Sequence, residues 1–224
     1  MTDWDWEGAR KHFERAIELN PNYATAHHWY GEAYLTPMGR LDESLAEIRV
    51  AQRLDPLSCV IGADIGKTLY FARRYDEAIS QLRSVLEMDS NCYPAYSWLR
   101  PAYEGAGRYA QALEVFEKEK AFIDRDQYLS VQIYINSRMG QTVQARQFMT
   151  QLLKLAETQP VDPGLIAGEY IYLGEKDQAF AWLNRAYAAR SNYMSSLKVW
   201  SLYDPLRNDP RFIDLERRVK LTPE

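Results

Sequence analysis

The chain is poor in the residues that build active sites. It has three histidines and two cysteines in 224 residues. His27 and His28 are neighbours, so on a helix they diverge by about 100° and cannot clasp one ion as an i,i+4 pair does. There is no Gly-x-Ser-x-Gly, no His-Glu-x-x-His and no glycine loop of the kind that cradles phosphate. Positive charge is not in excess: the formal net charge is −4, which excludes a basic footprint for nucleic acid. No apolar run approaches the length of a membrane span. The start, Met1 to Glu7, lacks the basic region and apolar stretch of a signal peptide. These absences set the expectations: no enzyme, no cofactor, no metal, no direct nucleic-acid contact, no membrane, and a cytoplasmic location.

What is present is a period. Small residues recur at Ala9, Ser44, Ala78, Ala112, Ala145 and Ala179, in steps of 35, 34, 34, 33 and 34 residues. Four positions later stand Phe13, Ile48, Leu82, Phe116, Met149 and Leu183, all large and apolar. Seven positions later stand Ala16, Ala51, Val85, Glu119, Leu152 and Ala186, with Glu119 the exception. These slots form one stripe of a helix: the small residue lets a partner helix approach, and the large one fills the space beside it. Gly39, Gly107, Gly140 and Gly174 precede their anchors by five, where a preceding helix ends and a positive φ is needed. The fullest copy, Tyr103–Phe116, reads as helix end, glycine turn and second helix. The period therefore predicts an all-α chain of helical hairpins, and 46% hydrophobic residues supply a continuous core.

The pattern resembles the tetratricopeptide repeat, a helical hairpin that stacks into a right-handed superhelical solenoid. The first-helix signature appears as His27-x-x-Tyr30-Gly31-x-x-Tyr34 and, more weakly, as Tyr96-x-x-Leu99-Arg100-x-x-Tyr103. The expected division is an array over 1–189 and capping helices over 190–224. The array opens on a second helix only, near residues 6–20, which leaves Trp6, Phe13 and Ile17 partly open. That truncation suggests excision from a longer parent. Repeat two runs from Tyr23 to Leu54, with a one-residue insertion assigned to its turn, Thr36 to Arg40. Repeat three spans Ser58 to Met88, and its Gly62 and Gly66 allow close approach. In repeat four Arg100 stands where glycine is preferred, and Pro101 is expected to kink the helix. Repeat five, Gln127 to Ala156, can be threaded in two registers, one of which puts Gln132 and Asn136 on core positions. Repeat six spans Pro163 to Ala188. Leu206, Phe212, Leu215 and Val219 of the tail are expected to pack back on it. Cys59 and Cys92 open adjacent repeats, but two thiols are no disulfide framework, and free thiols are expected.

The six repeats and the ending Asp204-Pro205-Leu206-Arg207-x-Asp209-Pro210-Arg211-Phe212 resemble the C-terminal repeat region of large bacterial regulators. In those the repeats follow a winged-helix DNA-binding domain or a Ser/Thr protein kinase domain. The resemblance implies a non-catalytic interaction scaffold in signalling or transcription, with first helices lining a concave face. His28, Glu32, Lys67, Tyr70, Ser97 and Glu104 project onto that face. Glu32, Ala63 and Pro101 occupy slots where a clamp for a peptide carboxylate wants amide or basic groups, so the expected occupant is an extended peptide or a helix. Two alternatives stay open: pairing of two copies through the uncapped first helix, and a passive spacer.

Overall fold

In the computed structural model, residues 4–221 are described. All regular structure among them is helical. The chain divides into two compact units, Met1–Phe122 and Ile123–Glu224.

The first unit contains α1 (Trp6–Leu19), α2 (Ala24–Tyr30) continued by a π-helical turn (Gly31–Leu35), α3 (Leu41–Leu54), α4 (Cys59–Phe71), α5 (Tyr75–Met88), α6 (Tyr93–Gly105) and α7 (Tyr109–Glu119). The second contains α8 (Arg125–Arg138), α9 (Thr142–Ala156), α10 (Pro163–Tyr172), α11 (Lys176–Ala188), two 3₁₀ turns (Asn192–Ser196 and Ser201–Leu206) and α12 (Pro210–Arg218). Helices pair as antiparallel hairpins, α2 with α3, α4 with α5, α6 with α7, α8 with α9 and α10 with α11.

Every hairpin closes in the same way. The backbone N–H groups of Arg40, Arg74, Arg108, Gln141 and Glu175 donate to the carbonyls of Leu35, Leu69, Tyr103, Asn136 and Tyr170 at 2.8–3.0 Å. This is the six-to-one closure that follows a left-handed residue at a helix end. Glycine fills that position at Gly39, Gly107, Gly140 and Gly174, with φ between 72° and 76°. In repeat three the position is held by Arg73, at φ 60°. A residue with a Cβ pays about 1 kcal/mol there.

The uniform closure relocates the extra residue of repeat two. Leu35 to Arg40 spans the turn as Leu69 to Arg74 does, so the turn contains no insertion. The Thr36 N–H instead reaches back to the Gly31 carbonyl at 2.9 Å, a π-type bond, and the helix itself absorbs the residue.

The stripe is buried. Ser44, Ala78, Ala145 and Ala179 are fully enclosed, as are Ile48, Leu82 and Leu183 four residues on. A Cβ on Gly66 would lie 2.4–2.9 Å from three carbons of Leu82, so α4 and α5 touch at a distance only glycine permits. In the second unit Leu129, Ile133, Met149, Leu152 and Ile166 form the core. Asn136 is buried on the same face and donates to the Gln132 carbonyl at 2.7 Å, which selects between the two threadings of repeat five.

The tail folds onto α10 and α11. Tyr203, Leu206, Phe212, Leu215 and Val219 are buried. The Arg211 guanidinium lies 4.0 Å from the Phe180 ring centroid and pairs with Asp177 at 2.8 Å. Asp209 caps α12 by accepting from the Arg211 N–H at 3.0 Å.

Two expectations are corrected here. Cys59 and Cys92 are joined in a disulfide, with Cα atoms 6.0 Å apart, because stacking brings the starts of α4 and α6 side by side. Trp6 is buried, at 7% exposure, with the Trp4 ring 6.1 Å away; Phe13 and Ile17 are half-buried. Of the three side chains expected to lie partly open, only Trp6 is covered; Phe13 and Ile17 remain partly exposed. Pro101 lies inside α6, which is helical from Tyr93 to Gly105.

Candidate protein-docking site

The face built from the first helices of the N-terminal unit is where the candidate residues gather. The residues that meet there are about one repeat apart in sequence, because consecutive first helices lie alongside each other.

His28 does not stand open to a ligand. It is 5% exposed and its Nε2 lies 2.7 Å from the Asp64 carboxylate on α4. One turn on, Lys67 Nζ donates to Glu32 at 2.5 Å, again linking repeat two to α4. The same ammonium sits 5.5 Å from the Trp98 ring and 5.9 Å from the Phe71 ring, which carries the chain of contacts onward to α6. Tyr70 is buried beside them, its ring 5.6 Å from Trp98, 5.7 Å from Phe71 and 5.9 Å from Tyr75. Ser97 turns back on its own helix and donates to the Pro94 carbonyl at 2.9 Å. Glu104 accepts from Arg100 at 2.9 Å.

Arg100 makes sense of two irregularities at once. Its Nε donates to Glu119 at 2.8 Å, and Glu119 is 3% exposed. The arginine in a glycine slot of α6 and the carboxylate in an apolar slot of α7 are partners. Burial opposes the Arg100 charge, but Glu104 and Glu119 together push its titration upward. Burial also raises the Glu119 carboxyl, against the pull of Arg100.

His27 lies behind this face. Its two ring nitrogens meet Glu47 at 2.6 Å and the Pro21 carbonyl at 3.0 Å, so it ties the α1–α2 connection to α3.

The charges of the face are thus paired with one another. Of the side chains on α2 and α4, Trp29 and Val60 are each 45% exposed and Thr25 is exposed as well, while Trp98 of α6 is half-buried. Sequence reasoning named His28, Glu32, Lys67, Tyr70, Ser97 and Glu104 but passed over Trp29, Asp64, Trp98 and the Arg100–Glu119 pair. A signal for two of the links was present: Asp64 follows His28 by 36 residues and Lys67 follows Glu32 by 35, each a complementary partner about one repeat along.

The family pattern described as "TPR repeat" matches residues 5–36, and that described as "Tetratricopeptide repeat" matches 64–126. The tetratricopeptide-repeat pattern is thus matched over two stretches of the N-terminal part of the chain. Solved structures of similar fold include the APC/C hetero-tetramer Cut9-Hcn1 (TM-score 0.62, 14% identity, 97% of this chain and 46% of that one). PilW, a widely conserved type IV pilus biogenesis factor, is similar at TM-score 0.60 and 17% identity, over 87% of this chain and 91% of that one. YrrB, a tetratricopeptide protein with an unusual peptide-binding site, is similar at TM-score 0.50 and 16% identity, over 83% and 96%. No curated protein sequence matches the chain. A tetratricopeptide scaffold of this kind is suited to protein–protein interaction, and such folds bind peptides or proteins in a groove. Among the described residues no helix is long and apolar enough to cross a membrane, and no group of three metal-ligating side chains converges.

Proposed function

We propose that the first-helix face of the N-terminal unit docks a segment of another protein, with no catalytic step, and that the chain serves as the partner-binding part of a larger signalling or transcription protein of bacterial type. The observation that carries this reading is the internal pairing of the face's charges. His28 is hydrogen-bonded to Asp64, and Lys67 and Arg100 are ion-paired with Glu32 and Glu104, so among the described residues these three groups are engaged within the protein and not directed at a peptide carboxylate. Recognition then falls to Trp29, Val60 and Trp98, by apolar and aromatic contact. The occupant is a peptide or helix that presents apolar side chains at regular spacing.

The test is selection from a peptide library on the full chain. Selected peptides should be rich in apolar residues, bind with little dependence on salt, and lose at least about tenfold in affinity with Trp29→Ala, since exposed aromatic anchors carry such interfaces. Trp29→Ala is the suitable variant because its ring is exposed; truncating buried Tyr70 would disturb the fold as well. Binding unaffected by Trp29→Ala, or abolished by modest salt, would overturn the reading.

A further inference from the structure

The disulfide sits at the head of this face. Cys59 is the first residue of α4, and Cys92 is the cap residue at the start of α6. About two to three turns further along α4, and under two turns along α6, come the Lys67–Trp98 and Tyr70–Trp98 contacts. The bridge and the candidate docking surface therefore share one helix pair. Helix α6 also has reason to depend on an external tie: Pro101 has no N–H, so the Ser97 carbonyl lacks its usual partner in the ladder.

The two sulfurs are unequally placed. Cys59 is half-buried on an edge with exposed Leu57 and Val60, whereas Cys92 is enclosed, at 2% exposure. An incoming thiolate thus meets Cys59 first. Cys92 would leave at the beginning of a helix, where the peptide dipoles favour negative charge.

We propose that the Cys59–Cys92 bridge is a redox-controlled tie between α4 and α6, and that its reduction by a dithiol loosens the docking face. The steps balance as thiol–disulfide exchange. One thiolate of the reductant attacks Cys59 Sγ, the Cys59–Cys92 bond breaks, and Cys92 departs as a thiolate that takes up a proton. The second thiolate of the reductant then attacks its own mixed-disulfide sulfur, releasing Cys59. Two electrons pass to the protein, and the reductant becomes a disulfide. The link to docking rests on the function proposed above; the tie itself does not.

The experiment uses the full chain, air-oxidised and then treated with dithiothreitol under native conditions. Alkylation and mass measurement count the thiols, and amide exchange reads the helices. The expected result is a bridge that is reduced without denaturant. Exchange over Ala95–Leu99 of α6 should then quicken by about ten- to a hundredfold, as local opening loses a cross-link. Amides of α10 and α11 should not change. Cys59→Ser should show the fast exchange from the outset and ignore the reductant. Two alkylatable thiols in the air-oxidised protein, resistance to dithiothreitol, or equal α6 exchange in both states would overturn the tie. Library-selected peptides separate the two proposals: equal peptide affinity in both redox states, with responsive α6 exchange, overturns the control of docking. Absence of peptide binding in either state, with responsive exchange, supports the tie and overturns the docking reading alone.

Discussion

Replacing Gly66 by alanine tests the close approach of α4 and α5, and the informative form is a double-mutant cycle with Leu82. Two opposed effects set the single change. Alanine gains about 1 kcal/mol over glycine inside a helix. Against that, its Cβ would lie 2.4, 2.5 and 2.9 Å from the branched end of Leu82, closer than real Cβ contacts come. Leu82 is fully enclosed and cannot swing aside. Overpacking of this kind costs about 1–3 kcal/mol. Gly66→Ala should therefore leave unit one neutral to about 2 kcal/mol less stable, on combining these terms. Leu82→Ala alone empties a buried site and should cost about 3–5 kcal/mol. In that background the clash is gone, and Gly66→Ala should stabilise by about 1 kcal/mol. The coupling between the two sites is then about 1–3 kcal/mol. Urea unfolding with amide exchange in α4 and α5 reads the N-terminal unit separately from the other. A Gly66→Ala effect of the same sign and size in both backgrounds would refute the argument, because it would mean that Leu82 does not limit the approach.

Three further outcomes are expected. Glu119→Leu should cost about 3 kcal/mol, since it leaves buried Arg100 with only Glu104, and pairing it with Arg100→Met should recover most of that loss in urea unfolding. Arg73→Gly should raise stability by about 0.5 kcal/mol, since relief of the left-handed strain exceeds the entropy that glycine adds to the unfolded chain. The third concerns acid: Arg211 holds the Asp209 carboxyl down at about 2, below its ordinary 3.8. A depressed folded-state value means a contribution fully present above pH 3.8 and lost as pH falls toward 2. The stability difference between the protein and Asp209→Asn, from urea midpoints, should thus shrink across that window; a constant difference would count against the Asp209–Arg211 contact.

Much of the fold was legible because a repeat states its physics six times. The small anchor, the large residue four positions on and the glycine five before are each demanded by one local geometry, and together they mark hairpins, turns and core. The candidate site was legible only in part. The sequence places His28, Glu32 and Lys67 on the first helices, but a register alone does not fix that His28 bonds Asp64 and Lys67 bonds Glu32; that depends on the neighbouring repeat. Trp29 was passed over because its exposure is a property of the stack.

By itself, then, the sequence determined the helices, their phase and the stripe each one buries, since these follow from neighbours within a single turn or hairpin. Contacts between repeats belonged to the tertiary structure. It decided that Cys59 and Cys92 form a bond, that Arg100 answers Glu119, and that Trp6 is covered. It also decided that the residue added in repeat two widens a helix instead of lengthening a turn, because the turn's own hydrogen bonds admit one length, while a helix can take in an extra residue by shifting to π-type bonding for a few residues.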